Sequence, residues 1–222
     1  AKEMNDLQCT LLEEIEDSKE VPECDIPSIS DILKVIKKLK NNKAADRDGI
    51  MSEHLKHVSE IIAPIVHDIF RVIYTTKHPP DSFKKGTVTP VLKKNKQKSN
   101  PDHYRRITVT QMLSKVMELV IAPGMNECIE RKQNPLQRGF SSGASSTNAA
   151  FFVTEAIADA TDEKKTLYIA MLDASKAFDV VVHSSLLSKL HNLDFTGAGW
   201  LLLRRWYQGL GSCIKWSGKL SR

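Results

Sequence analysis

"YIAMLDASKAFDVV", residues 168–181, runs apolar side chains straight into Asp173 and sets a second carboxylate, Asp179, six positions later. With the two residues before it, the run reads "TLYIAMLD", rich enough in β-formers to predict a strand ending on Asp173. A strand that delivers an acid at its C-terminal end often builds a catalytic or metal site. It is also a common way to leave a sheet. The spacing weighs against the two carboxylates acting as a pair. In an extended strand they would share a face but lie about 20 Å apart, at about 3.3 Å per residue. In a helix, six positions separate them widely in angle. Only a tight turn could join them, and Ala177-Phe178 reads as packing. No Asp-Asp pair occurs in the chain, so a metal partner for Asp173 would come from elsewhere.

Working outward, charge is unevenly distributed. The chain has 222 residues and a net charge of +5. Residues 1–31 hold ten acids and two bases, a net −8, whereas residues 84–106 hold eight bases and one acid, a net +7. A basic segment this dense suits a polyanion, either nucleic acid or a triphosphate, although a solvated lysine-rich loop gives the same composition. Hydrophobic content of 41% and charged content of 27% are those of a globular protein, and 222 residues can bury a substantial core. No apolar run reaches membrane-spanning length, so no membrane partner is expected. The four cysteines stand far apart with no CxxC, which speaks against structural zinc or a disulfide framework and for an intracellular setting. The chain does not start with Met and stops just after a strand-like stretch, so it is read as a fragment of a longer protein.

Amphipathic helices are expected over "IPSISDILKVIKKLKNN", capped by Ser28 or Ser30, and at about 50–59 and 61–76. "GTVTPVLKK" and "YRRITVT" flank "NKQKSNPDH" and predict a β-hairpin with a long basic tip. "MLSKVMELVIAPGMNECIERK" predicts a helix with a kink near Pro123 and Gly124. A Gly/Ser loop follows, its serines able to cap a helix through "TNAAFFVTEAIADA". Two more helices, "SSLLSKLHNL" and "GAGWLLLRRWYQGL", precede a strand at "SCIKWSG". Trp200, Trp206 and Trp216 are expected in the core. The mixture predicts an α+β class. The seven histidines form no HxxxH or HExxH, and GxSxG, GxGxxG and GxxxxGK[ST] are absent, which removes the common zinc, hydrolase and nucleotide-cradle signals.

Taken in order, "KAADRDGI", "VTPVLKKNKQKSNPDHYRRITVT", "SKVMELVI", "NPLQRGFSSGASSTNAAF" and "LDASKAFDVVVHSSLLSKL" resemble the reverse transcriptase domain of non-LTR (LINE-type, jockey-like) retrotransposons over about residues 26–222. The resemblance implies a right-handed polymerase fold, here its fingers and a truncated, partial palm. Residues 1–25, acidic and with little apolar periodicity, are read as a linker or tail, and the resemblance implies an N-terminal helical extension at 26–83, fingers at 84–165 and partial palm at 166–222. Asp173 would be the catalytic carboxylate that binds Mg²⁺, with the Ala174 carbonyl also facing the metal. Lys93 or Lys94 and Arg105 would clamp the incoming triphosphate. Backbone amides around Lys176 and Ala177 would cradle it, and Phe178 would lie beneath the sugar. Gln137, Gly139 and Phe140 would lie along the template, and Asp179 would support the site.

The implied activity is RNA-directed DNA polymerisation, nucleotidyl transfer to a primer 3′-hydroxyl with two metal ions. Its partners would be an RNA template, a DNA primer and deoxynucleoside triphosphates, with nuclear localisation for the parent element. Three positions depart from the family pattern: Asp46 replaces a turn glycine, Arg106 replaces a proline, and Ser141 replaces a basic residue. The family's remaining metal carboxylates are expected beyond Arg222, so the fragment alone is expected to be inactive. The alternative is a catalytically dead remnant that binds nucleic acid or a protein.

Overall fold

The computed structural model describes Thr10, residues 26–174 and residues 177–221. The core forms where helical stripes meet. Helix α1 (Ile29–Lys38) starts at Ser28, whose Oγ accepts from Asp31 N at 3.2 Å, and it buries Ile32 and Ile36 one turn apart. Helix α2 (Ser52–His57) leads into α3 (Ser59–Thr76), which buries Ala63, Val66, Phe70, Ile73 and Tyr74 at helical spacing. Lys77 then ends α3 in the left-handed region at φ 55°. Helix α4 (Met112–Lys132) is continuous through Pro123 and buries Met112, Val116, Met117 and Ile121.

Helix α5 (Ser146–Asp162) is capped by Ser145, as the serine-rich approach predicts, yet buries no residue. Helices α6 (His183–Asn192) and α7 (Gly197–Tyr207) close the core with Leu187, Leu190, Trp200, Leu201, Leu202 and Trp206. The two buried indoles satisfy their N–H groups on backbone carbonyls: Trp200 Nε1 donates to Leu187 O at 2.9 Å and Trp206 Nε1 to Phe83 O at 3.3 Å. Trp216 does not join them. It lies on a sheet with half its surface exposed.

The described strands form one four-stranded sheet in the order β2-β1-β3-β4. Strands β1 (Lys85–Leu92) and β2 (Tyr104–Val109) are the expected antiparallel hairpin, in register from Thr87↔Val109 to Leu92↔Tyr104. Strand β3 (Gly211–Trp216) lies parallel to β1 but pairs only with residues 85–88, and β4 (Lys219–Leu220) returns against β3. This short overlap explains why Pro90, which has no N–H, is tolerated in β1: its ladder partner is on the β2 side alone.

The expected strand at "TLYIAMLD" does not form. Residues 165–174 have no regular secondary structure, and Tyr168, Met171 and Leu172 are almost fully exposed. A strand is stabilised by neighbours that take its N–H and C=O groups, and no described strand lies beside this run to take them. The acidic segment 1–25 lies outside the described residues, apart from Thr10.

Candidate nucleotide and nucleic-acid site

The tip of the hairpin is organised by its own bonds. Lys93 N donates to His103 O at 2.8 Å and closes the loop. Lys93 Nζ donates to Asp102 O at 2.8 Å, Tyr104 Oη to Lys98 O at 3.0 Å, and Asn100 Oδ1 accepts from Asp102 N at 2.9 Å. The loop thus holds its shape without spending most of its charge. Lys94, Lys96, Lys98 and Arg105 make no side-chain hydrogen bond or ion pair among the described residues. Of the two lysines singled out by the sequence, Lys93 is tied to the loop backbone and Lys94 is free.

Alternation along β2 sends Tyr104 and Arg106 to one face of the hairpin and Arg105 to the other. On the first face Tyr104 packs edge-on against Trp216, with ring centroids 5.4 Å apart. On the same face Arg106 Nη1 donates to Asp179 Oδ2 at 3.3 Å. This bond crosses 73 residues of sequence and joins the hairpin to the turn that follows Asp173. The structure therefore gives Asp179 a partner. The cation it brings to the acidic segment is Arg106, not Arg105.

Asp173 and Ala174 are exposed, at the end of a segment that is not a strand. Ala177 is exposed in a turn, and Phe178 is 85% exposed, so the expected packing of Phe178 beside Asp173 is not made. Both departures have one cause, since packing against a strand requires the strand. Lys176 lies outside the described residues. Among the described residues, no three His, Cys, Asp or Glu side chains gather where they could share a metal ion. The residues described here therefore do not make a complete divalent-metal site, and Asp173 can offer one carboxylate of such a site.

The "QRGF" loop is closed on itself. Gln137 Nε2 donates to Gly139 O at 3.0 Å, Ser141 Oγ to Gln137 O at 2.6 Å, and Gln133 Nε2 to Ser141 Oγ at 2.6 Å. Phe140 sits at φ 59° with its ring wholly in solvent. The Arg138 guanidinium lies 5.8 Å from the Phe152 ring centroid and ties the loop to α5. Ser141 thus helps hold the loop. Gln137, Gly139 and Phe140 come together in this loop, and no described bond joins them to the Asp173 segment.

Asp46 is a further residue whose role the sequence did not disclose. Its Oδ1 accepts from Asp48 N at 3.0 Å and Ile50 N at 2.8 Å, and its Oδ2 accepts from Met112 N at 2.9 Å. One buried carboxylate thus folds the "KAADRDGI" loop and caps the start of α4. Gln111 Nε2 adds a 2.7 Å bond to Asp48 Oδ2. Two of its partners are local, but the third, Met112 N, lies 66 residues away, where no local signal reaches.

A family model described as reverse transcriptase (RNA-dependent DNA polymerase) matches residues 91–221. The chain is 29% identical over 167 residues to a probable RNA-directed DNA polymerase from transposon BS of Drosophila melanogaster, covering 74% of this chain and 18% of that protein. It is 29% identical over 162 residues to the probable RNA-directed DNA polymerase from transposon X-element of the same organism, covering 72% and 18%. It is 23% identical over 168 residues to the RNA-directed DNA polymerase from mobile element jockey of Drosophila melanogaster, covering 75% and 18%. The chain thus spans under a fifth of the length of these curated relatives.

Proposed function

This chain belongs to the reverse transcriptase family of non-LTR, jockey-like retrotransposons, and on that premise we propose that it forms the fingers and the start of the palm of an RNA-directed DNA polymerase. The observation that carries this reading is the bond between Arg106 and Asp179. It sets the basic hairpin against the segment that bears Asp173, as a site that binds an anionic nucleotide beside a metal carboxylate requires. In this reading residues 84–165 are fingers and residues 166–222 partial palm, behind a helical extension at 26–83.

The parts then have distinct work. Lys94, whose side chain is free where that of Lys93 is tied to Asp102 O, receives the triphosphate and neutralises its charge, with Arg105 reaching it only from the opposite face of the hairpin, and the backbone around Lys176 and Ala177 cradles it. Phe178 meets the sugar, and Phe140, held out in solvent by a self-bonded loop, stacks on the template. Asp173 and the Ala174 carbonyl supply one side of a Mg²⁺ site whose remaining ligands come from the rest of the parent protein. The metal supplies charge stabilisation to nucleotidyl transfer from a deoxynucleoside triphosphate to the primer 3′-hydroxyl.

Primer extension on an RNA template with Mg²⁺ tests the reading, using the full-length parent and its Asp173→Ala form. Extension by the parent and none by the variant is expected, with this chain alone silent. Extension by this chain that Asp173→Ala abolishes would show that the described acids complete the site after all. A parent that binds nucleic acid but never extends would select the alternative of a binding remnant.

A further inference from the structure

The sheet carries a second concentration of unpaired positive charge, at the end of β1 opposite the basic tip. A cleft of about 220 Å³ opens there, where β1 and β3 begin side by side, with Lys85 in register with Gly211. Arg47 and Lys85 line it together with Gly86, Gly211 and Ser212, and no carboxylate does. Neither cation has a hydrogen-bond or ion-pair partner among the described residues. The acids flanking Arg47 are engaged elsewhere: Asp46 accepts from three backbone N–H groups and Asp48 from Gln111. The space beside Gly211 is open: an added Cβ there would meet nothing within 4 Å.

Two unscreened cations, a serine hydroxyl and an open floor make a site for a singly or doubly charged oxyanion. Its size exceeds the roughly 30 Å³ share of a single water several times over, so a phosphate fits with some of its hydration shell. The location favours a phosphate that is part of a chain. Strand β1 runs from Lys85 at the cleft to Leu92 beside Lys93 and Lys94, about 23 Å at 3.3 Å per residue. One polyanion can therefore reach both positive ends of the same sheet.

We propose that this cleft binds a backbone phosphate of a single nucleic-acid strand, whose path runs along the sheet from the hairpin tip to the start of β1. This rests on the reading that the chain binds nucleic acid, and it adds a contact at Arg47 and Lys85 that the hairpin alone does not give. Because phosphate contacts carry no sequence information, the contribution is the same for any strand.

The experiment is a salt titration of a fluorescent single-stranded RNA by anisotropy, with the wild-type chain, Arg47→Ala/Lys85→Ala, and a tip variant, Lys94→Ala/Lys96→Ala/Lys98→Ala. Loss of one phosphate contact lowers the slope of log K against log salt by about 0.7, equally for unrelated sequences. Gly211→Glu, which puts an acid at the cleft without a clash, is expected to weaken binding in the same direction. Urea midpoints matching wild type confirm that the variants fold. If the tip variant loses affinity while the cleft variants keep the wild-type slope, the cleft is overturned and the nucleic-acid reading stands. Salt-independent binding by the wild type overturns both. Cleft variants that keep RNA affinity but lose competition by tripolyphosphate assign the cleft to a free nucleotide and overturn the strand path.

Discussion

Helices α3 and α5 are nearly the same length, 18 and 17 residues, and both are rich in apolar side chains, yet they meet opposite fates. Helix α3 buries one face, with Phe70 wholly enclosed, whereas Phe151 and Phe152 on α5 are both more than half exposed. The contrast extends beyond α5. Residues 165–182 carry Tyr168, Met171, Leu172, Phe178 and three valines into solvent. Apolar content makes a segment able to pack, but a neighbour on the right side makes it pack. The inner face of α3 has such a neighbour, whereas no described strand lies beside the run that ends on Asp173.

The largest difference between the two regions should appear in amide hydrogen exchange. The amides of residues 87–91 other than Pro90, on a strand paired to β2, open only with the folded body and should be protected toward the global stability, on the order of 5–15 kcal/mol. Amides of residues 167–172 should exchange nearly as fast as in an unfolded chain. Strong protection at 167–172 in this chain alone would break the comparison, because it would mean that the run pairs after all.

Next in size is truncation of a ring. Phe70→Ala leaves a cavity in a closed core and should cost about 3–5 kcal/mol in urea unfolding. Phe152→Ala removes a ring that faces water and should stay within about 0.5 kcal/mol. Equal costs would show that α5 packs in solution against something its exposure here conceals.

Asp46 sharpens the comparison on the packed side. Asp46→Ala strands the Met112 and Ile50 amides and should cost about 2–3 kcal/mol, since bonds to a charged acceptor are the stronger kind and buried donors are left unmet. Asp46→Gly should lose as much, because glycine offers no acceptor. Wild-type stability in either variant would show that the carboxylate is incidental.

These cases mark what could be read in the chain itself. The helices of the core were legible because Ile32 and Ile36, or Val66, Phe70 and Ile73, announce a buried face by local spacing. The hairpin was legible because two β-rich runs surround one polar loop. What failed depended on distant partners. "TLYIAMLD" has every local property of a strand and lacks only a neighbour to pair with. Trp216 has the composition of a core residue but sits on a sheet face next to Tyr104. Within the candidate site, Asp173 and the basic tip could be named from residue type. The Arg106–Asp179 bond could not, because alternation decides which of two adjacent arginines faces the acid.

The smallest expected effect is at that bond, and it bears most directly on how the two regions are joined. Arg106 and Asp179 are both substantially exposed, so solvent screens the pair and its coupling should be only about 0.2–1 kcal/mol in a double-mutant cycle. Stability is therefore a poor place to look for its importance. Asp179 belongs to the poorly covered region, where little else fixes the backbone, so a weak bond to the folded hairpin can still set where the turn lies. Arg106→Glu should loosen residues 177–182, read as faster exchange there with no change at 87–91. Arg106→Glu combined with Asp179→Arg restores opposite charges and should recover the wild-type rates, whereas Asp179→Arg alone should not. Recovery by the swap separates a bond that positions the segment from the mere loss of a basic residue. Equal exchange in all four proteins would mean that the hairpin and the Asp173 segment are not held together by this pair.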